Sequence, residues 1–255
     1  MTRVDFKDMV NFTDVLMERK NLFDGFELET LDEYEGMDTS PAREFKTSMA
    51  NGFYKAYTIK GMDKVEKIAI GELNYMRRAK YCAMNMTPSD DYDLPIFACE
   101  FDEFATRVGI TLDMMPLVDI ALHPEYREKY LDPLNDAWRE HRTLNGLTRE
   151  GRCLVQRRYG PWPWARASLS PYPLDGNIED SENRYNILDA VVVYARIWLE
   201  MLEKAEPIKD LEYKKEMLKR KKTLQYYYRE RDPGGEVLKK IFGEEHHRLY
   251  INLIF

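Results

Sequence analysis

Period-two alternation runs from Gly52 to about Leu117, and it constrains the fold more than any other feature of the chain. Phe53, Lys55, Tyr57 and Ile59 alternate with Tyr54, Ala56 and Thr58, and Val65, Lys67, Ala69 and Gly71 alternate with Glu66, Ile68 and Ile70. Further runs extend from Ala79 to Met86, from Leu94 to Phe101 and from Val108 to Met114. Successive side chains of a strand point to opposite faces, so these runs read as strands. The punctuation between them is short: Gly61-Met62-Asp63, Pro88-Ser89-Asp90-Asp91 and Gly109. Parallel neighbours need a crossover of a dozen or more residues, so short turns leave an antiparallel meander. The pattern predicts about five strands in this region.

The flanks read differently. Residues 4–22 place Val4, Met9, Val10, Phe12, Val15, Leu16 and Leu22 among charges, which predicts an amphipathic helix. Residues 24–50 are acidic and irregular. His123-Pro124 opens a helical stretch to about residue 146, with Tyr126, Tyr130, Leu131, Leu134 and Trp138. Residues 152–176 hold Pro161, Pro163, Pro171 and Pro173, which predicts an irregular segment with one or two short strands. The clearest helix spans 181–204, with Ser181 as N-cap, a stripe of Ile187, Val191, Tyr194, Trp198 and Met201, and Pro207 beyond its end. A helix over 209–230 carries a basic run, Lys214, Lys215, Lys219, Arg220, Lys221 and Lys222. Asp232-Pro233-Gly234-Gly235 breaks it, and a short helix, 236–243, and an apolar tail, Tyr250 to Phe255, follow. Strands grouped before helices predict an α/β fold with helices packed on an antiparallel sheet. Nothing reads as a linker, so the expectation is one domain over 1–255: an N-terminal part to residue 50, the sheet over 52–117, and a mainly helical 123–255.

Composition narrows the function. The 255 residues carry 38 Lys plus Arg against 45 Asp plus Glu, a net charge of −7, which argues against non-specific nucleic-acid binding. Cys82, Cys99 and Cys153 are odd in number and match no zinc spacing, so reduced thiols are expected. No run approaches the ~20 apolar residues of a membrane span, and the N-terminus lacks an apolar signal core. The expected setting is the cytoplasm, without membrane or nucleic-acid partners. Nucleotide-binding loops, a serine-nucleophile elbow and a zincin motif are absent. His246-His247 is the single histidine cluster, either a metal-binding pair or a solvated helix end. Aromatic residues make up 13%, including 17 tyrosines, which suits either a flat semi-polar ligand or aromatic core packing.

Two stretches go further. Asn85-Met86-Thr87-Pro88 leads through Ser89-Asp90-Asp91 into Tyr92-Asp93-Leu94-Pro95-Ile96-Phe97-Ala98-Cys99-Glu100-Phe101. Tyr227-Tyr228-Arg229-Glu230-Arg231-Asp232-Pro233 is followed by Leu238 and Phe242-Gly243-Glu244. Together with His123-Pro124, Arg127 to Leu131 and the closing apolar segment, they resemble the ferredoxin-dependent bilin reductases over roughly residues 52–255. The resemblance implies a three-layer α/β/α sandwich with a central antiparallel sheet. It implies an oxidoreductase acting on CH–CH groups, reducing biliverdin or a related linear tetrapyrrole toward a phycobilin-type product by single electrons from ferredoxin. It implies no bound flavin, nicotinamide or metal. Ferredoxin or flavodoxin is the implied partner, a haem oxygenase the implied source of substrate, and a monomer the expected state. The red chlorophyll catabolite reductases share the fold and electron source, and a tetrapyrrole carrier without catalysis is the third reading.

Such chemistry needs acids at the pigment face rather than a nucleophile. The resemblance places the family's strand aspartate at Glu100, one methylene longer, and a proton-donating aspartate before proline at Asp232. Many relatives carry His or Asn where this chain has Ala83. Either Asn85, two residues on and on the same face of a strand, takes over the polar role, or the site lacks it. Glu72 is the nearest match to an upstream glutamate of the family, in an open register. Arg157, Arg158 and Arg166 suit the propionates of a bilin, because Arg pairs carboxylates bidentately. The Lys214–Lys222 run is either a docking surface for an acidic ferredoxin or a solvated helix face.

Overall fold

A computed structural model describes residues 4–142, 167–178, 185–231 and 235–255. Its strands are β1 (Leu28–Thr30), β2 (Glu33–Tyr34), β3 (Met37–Asp38), β4 (Phe45–Lys46), β5 (Ala50–Ile59), β6 (Val65–Tyr75), β7 (Ala79–Pro88), β8 (Ile96–Phe104), β9 (Arg107–Met115) and β10 (Leu174–Ile178). Strands β5 to β9 form the antiparallel meander that alternation predicts, each paired with its chain neighbour. The main sheet runs β1-β5-β6-β7-β8-β9-β10, with β4 also on β5. Strand β10 comes from the proline-rich region and pairs antiparallel with β9, Leu174 opposite Leu112. The β6–β7 turn carries no glycine: Met76 (φ 47°) and Arg77 (φ 54°) both adopt the left-handed conformation of a tight hairpin. That choice hid the turn from a reading based on Gly and Pro.

The N-terminal helix is broken. A 3-10 turn (Phe6–Asp8) precedes α1 (Phe12–Asp14), which runs into a π turn, Val15–Arg19. The regular helical bond from Thr13 N–H to Met9 C=O is split by the sheet. Thr13 N–H donates to Glu72 (3.2 Å), and Met9 C=O accepts from Lys80 Nζ (2.9 Å). The stretch expected as one helix from His123 is α2 (Pro124–Tyr126), a π turn (Arg127–Leu131), a 3-10 turn (Asp132–Leu134) and α3 (Asn135–His141). Pro133 has no N–H to give, so the ladder is interrupted there. The remaining helices are α4 (Ile187–Lys204), α5 (Leu211–Arg231), α6 (Gly235–Phe242) and α7 (Glu244–Ile254). The expected cap Ser181 lies outside the described residues.

The apolar tail is not a tail. Gly243 takes φ 78°, turns the chain, and α7 follows with Leu249, Tyr250, Ile251, Leu253 and Ile254 all buried. Its first turn, Glu244 to Arg248, is polar, so only the apolar second half stands out in the sequence and reads as a tail.

The sheet lies between helical layers, giving the three-layer α/β/α sandwich. On one face, Phe12 of α1 stacks on Phe101 of β8, with ring centroids 4.7 Å apart. Trp198 of α4 is fully buried there and donates its indole N–H to Pro95 C=O at 2.8 Å. On the other face α7 crosses β5, β6 and β7 and is joined by α5.

Candidate active site

Cross-strand register sets the site. On the α7 face, one row reads Gly71, Ala83, Glu100 and Thr111 across β6 to β9, and the next reads Ala69, Asn85, Ala98 and Asp113. Side chains this short leave a shallow floor. The opposite face of the same strands carries Ile68, Ile70, Met84, Met86, Phe97, Phe101, Ile110 and Leu112, all buried. The buried thiols Cys82 and Cys99 lie on that face too, pushed up by burial.

At the β5–β6 end the floor is roofed by aromatics. Tyr54 lies across Gly71, so close that a Cβ there would sit 2.0 Å from its ring. Tyr54 also packs on Phe45, Phe242 and Tyr250. Toward β9 the floor opens into a cleft. Its base is Asn85, Ala98, Glu100, Thr111, Asp113 and Met115, and its roof is Leu169, Tyr228 and Phe255. Tyr228 stacks on Phe255 at 4.7 Å and shares a hydrogen bond with Ser168.

The polar groups of this face are held firmly. Asn85 Nδ2 donates to Ile254 C=O at 2.8 Å. Asp113 is buried, accepting from Ser170 N–H at 2.8 Å and from the Ser170 hydroxyl. Burial pushes its carboxyl up to about 6, against the lowering effect of those bonds. Lys67, also fully buried, donates to Asn252 C=O at 2.9 Å and lies 4.1 Å from the Tyr34 ring centre. Burial brings its ammonium down to about 7, although Glu66 and Glu35 pull the other way.

The register brings Ala83 and Glu100 together as direct cross-strand neighbours, with Asn85 beside them. Glu72 does not join them. It faces the opposite side, opposite Cys82 in register, where Thr13 N–H holds it and burial raises its carboxyl. Asp232, Arg157, Arg158, Arg166 and Cys153 lie outside the described residues. Thr111 and Asp113 were not singled out from sequence. The signal was present: period-two spacing aligns Thr111, Asp113 and Met115, so β9 puts polar groups on a covered face.

The basic run also resolves. Lys221 is 2% exposed and binds Pro88 C=O and Asp90, each at 2.7 Å, and Glu66. Arg220 donates to Pro116 C=O (2.9 Å) and Ala167 C=O (3.1 Å), and Lys214 pairs with Asp91. These residues anchor α5 to the sheet and its loops, while Lys215, Lys219 and Lys222 stay exposed. Among the described residues no group of three His, Cys, Asp or Glu is placed to hold a metal. His246 instead packs 6.0 Å from the Phe45 ring. No described helix is long and apolar enough to cross a membrane.

The family model for ferredoxin-dependent bilin reductases matches residues 56–255. The chain belongs to that family. It is 26% identical over 159 residues to the 15,16-dihydrobiliverdin:ferredoxin oxidoreductase of Nostoc punctiforme, covering 62% of this chain and 60% of that protein. It is 26% identical over 171 residues to the phycoerythrobilin:ferredoxin oxidoreductase of Gloeobacter violaceus, covering 66% and 64%. The match thus spans under two thirds of these relatives' length. Tomato phytochromobilin synthase, solved in complex with biliverdin, superposes with a TM-score of 0.76 at 18% identity, covering 94% of this chain and 83% of that one. That likeness establishes the bilin reductase fold. The matched segment contains both rows and the cleft's Leu169, Tyr228 and Phe255, while Phe45 and Tyr54 precede it.

Proposed function

We propose that this chain reduces a linear tetrapyrrole, biliverdin or a dihydrobiliverdin, to a phycobilin-type product with single electrons from ferredoxin. The observation that carries this reading is the Ala83–Glu100 pair on a small-residue floor beneath a helical roof, inside the segment that matches the family. A flat conjugated ligand needs a surface without long side chains; Ala98 supplies it in the cleft, and Gly71, Ala69 and Ala83 continue the floor beneath Tyr54 and α7. Saturating one double bond takes two electrons and two protons. The electrons come from the iron–sulfur donor, one at a time. Glu100 supplies one proton from the floor, and Asp232, between α5 and α6, supplies the other. Asn85 contacts the pigment at the place left without a polar group by Ala83. Arg157, Arg158 and Arg166 pair with its propionates. Exposed Lys215, Lys219 and Lys222 help to attract an acidic ferredoxin. The enzyme works as a cytoplasmic monomer with no bound cofactor, on pigment supplied by a haem oxygenase.

The test is anaerobic. Biliverdin is added and the visible spectrum recorded, then reduced ferredoxin with a regenerating system. A shift on binding, then a radical intermediate and a new bilin, is the expected result. Binding without reduction would make this a carrier or a reductase of red chlorophyll catabolite, and no spectral shift with any linear tetrapyrrole would overturn the reading.

A further inference from the structure

Asn85 is 1% exposed, and the two ends of its amide are treated differently. Nδ2 donates to the backbone carbonyl of Ile254, in the last turn of α7, at 2.8 Å. A carbonyl can only accept, so this bond decides which end of the amide is which. Oδ1 is left as a buried acceptor with no donor among the described residues, and Thr111 Oγ1 in the next row is also unpartnered. Both residues line the cleft. A buried polar atom without a partner costs more than an ordinary hydrogen bond returns, so two of them in one cleft mark the place of an occupant. A hydroxyl adapts to a donor or an acceptor, whereas an amide oxygen takes donors alone. The occupant must therefore present an N–H or O–H at Asn85.

We propose that Asn85 Oδ1 is the acceptor for a pyrrole or lactam N–H of the tetrapyrrole, oriented by the Ile254 carbonyl, and that it selects which ring faces Glu100. The inference rests on reading the cleft as a tetrapyrrole site. Asn85 sits between Ala69 and Ala98, so its amide stands clear of its cross-strand neighbours. Glu100 is its diagonal neighbour, at a Cα separation of about 7–8 Å. A ring held by its nitrogen at Asn85 lays its carbons toward Glu100, so the anchoring point and the protonated carbon are linked. The end of α7 and the pigment share one amide, and loosening either is felt by the other.

The experiment titrates the full chain with biliverdin and reads absorbance. Asn85→Leu removes the acceptor and is expected to weaken binding about tenfold or more. Asn85→Asp keeps an acceptor toward the pigment but loses the donor to Ile254. It is expected to bind more weakly than the parent but more tightly than Asn85→Leu and, by adding a negative charge beside the N–H, to raise the pH at which bound pigment protonates. Thr111→Val should cost about threefold or less. Thermal melts of each variant separate lost fold from lost contact, and the pigment's protonation in Asn85→Asp carries the test if Asn85→Leu does not fold. Equal affinity and spectrum in parent and Asn85→Leu, or an unmoved pigment protonation in Asn85→Asp, would overturn the assignment and leave the reductase reading intact. Failure of the parent itself to bind any linear tetrapyrrole would overturn both.

Discussion

The two faces of the β6–β9 sheet are made by the same strands and do opposite things. Toward α1 and α4, the centre of the sheet is Ile68, Ile70, Met84, Met86, Phe97, Phe101 and Leu112, closed by Phe12 and Trp198. Toward α7 it is Gly71, Ala69, Ala83 and Ala98, with Asn85, Glu100, Thr111 and Asp113 among them. Burying a large apolar side chain is worth about 1.5–3 kcal/mol, so the first face supplies cohesion. The second contributes mostly small side chains from the sheet itself and keeps ionisable groups beneath α7 and its neighbours. The difference teaches that stability and chemistry are separated by the pleat: odd positions of β7 hold the site, even positions hold the fold.

The comparison breaks most visibly on the cohesive face. Phe101→Ala should lower stability by about 3–5 kcal/mol in urea unfolding, since it removes the stack with Phe12 and leaves a void. Next comes Lys67. Its folded pKa of about 7 lies below the unfolded one, so between those values the unfolded chain binds the extra proton. Stability should therefore rise with pH from about 7 toward the ordinary lysine range, by a few kcal/mol, and the slope should vanish in Lys67→Met. Asp113 gives the opposite slope. Its folded pKa of about 6 exceeds the ordinary 3.8, so the folded chain keeps the proton longer and stability should fall as pH rises between those values, by up to about 3 kcal/mol, flattening in Asp113→Asn.

Small stability effects with large functional ones sharpen the contrast. Ala98→Leu should change unfolding by about 1 kcal/mol or less, because it grows into a cleft, yet abolish the pigment-induced spectral shift. Glu100→Gln should move stability least, about 0.5 kcal/mol, and slow product formation about 100-fold with pigment binding retained. A large loss of stability in either variant would mean the α7 face is cohesive after all.

Much of this was legible beforehand, for reasons that can be named. The meander was visible because Phe53 to Ile59 and Val65 to Gly71 alternate strictly, and alternation is a local property. The resemblance carried Ala83 and Glu100, and register made them neighbours. What escaped depended on distant groups. Glu72 was left in open register, and its contact with the Thr13 backbone, 59 residues away, belongs to the face opposite the site. Lys221 reads as one more charge on a helix, and only Pro88, Asp90 and Glu66 make it an internal anchor. The N-terminal helix failed because Lys80 and Glu72 take over its backbone groups.

The order of contacts along the chain has a kinetic consequence. Strands β5 to β9 pair with one another in chain order, so their assembly needs short loop closures and should be fast. The bond that orients Asn85 spans 169 residues, and closing a loop of that length comes with the slower, long-range steps. The floor should therefore form as a bare sheet before its roof arrives. A pigment present during refolding would meet that surface early, and its effect should fall on the late docking of α7 rather than on the first collapse.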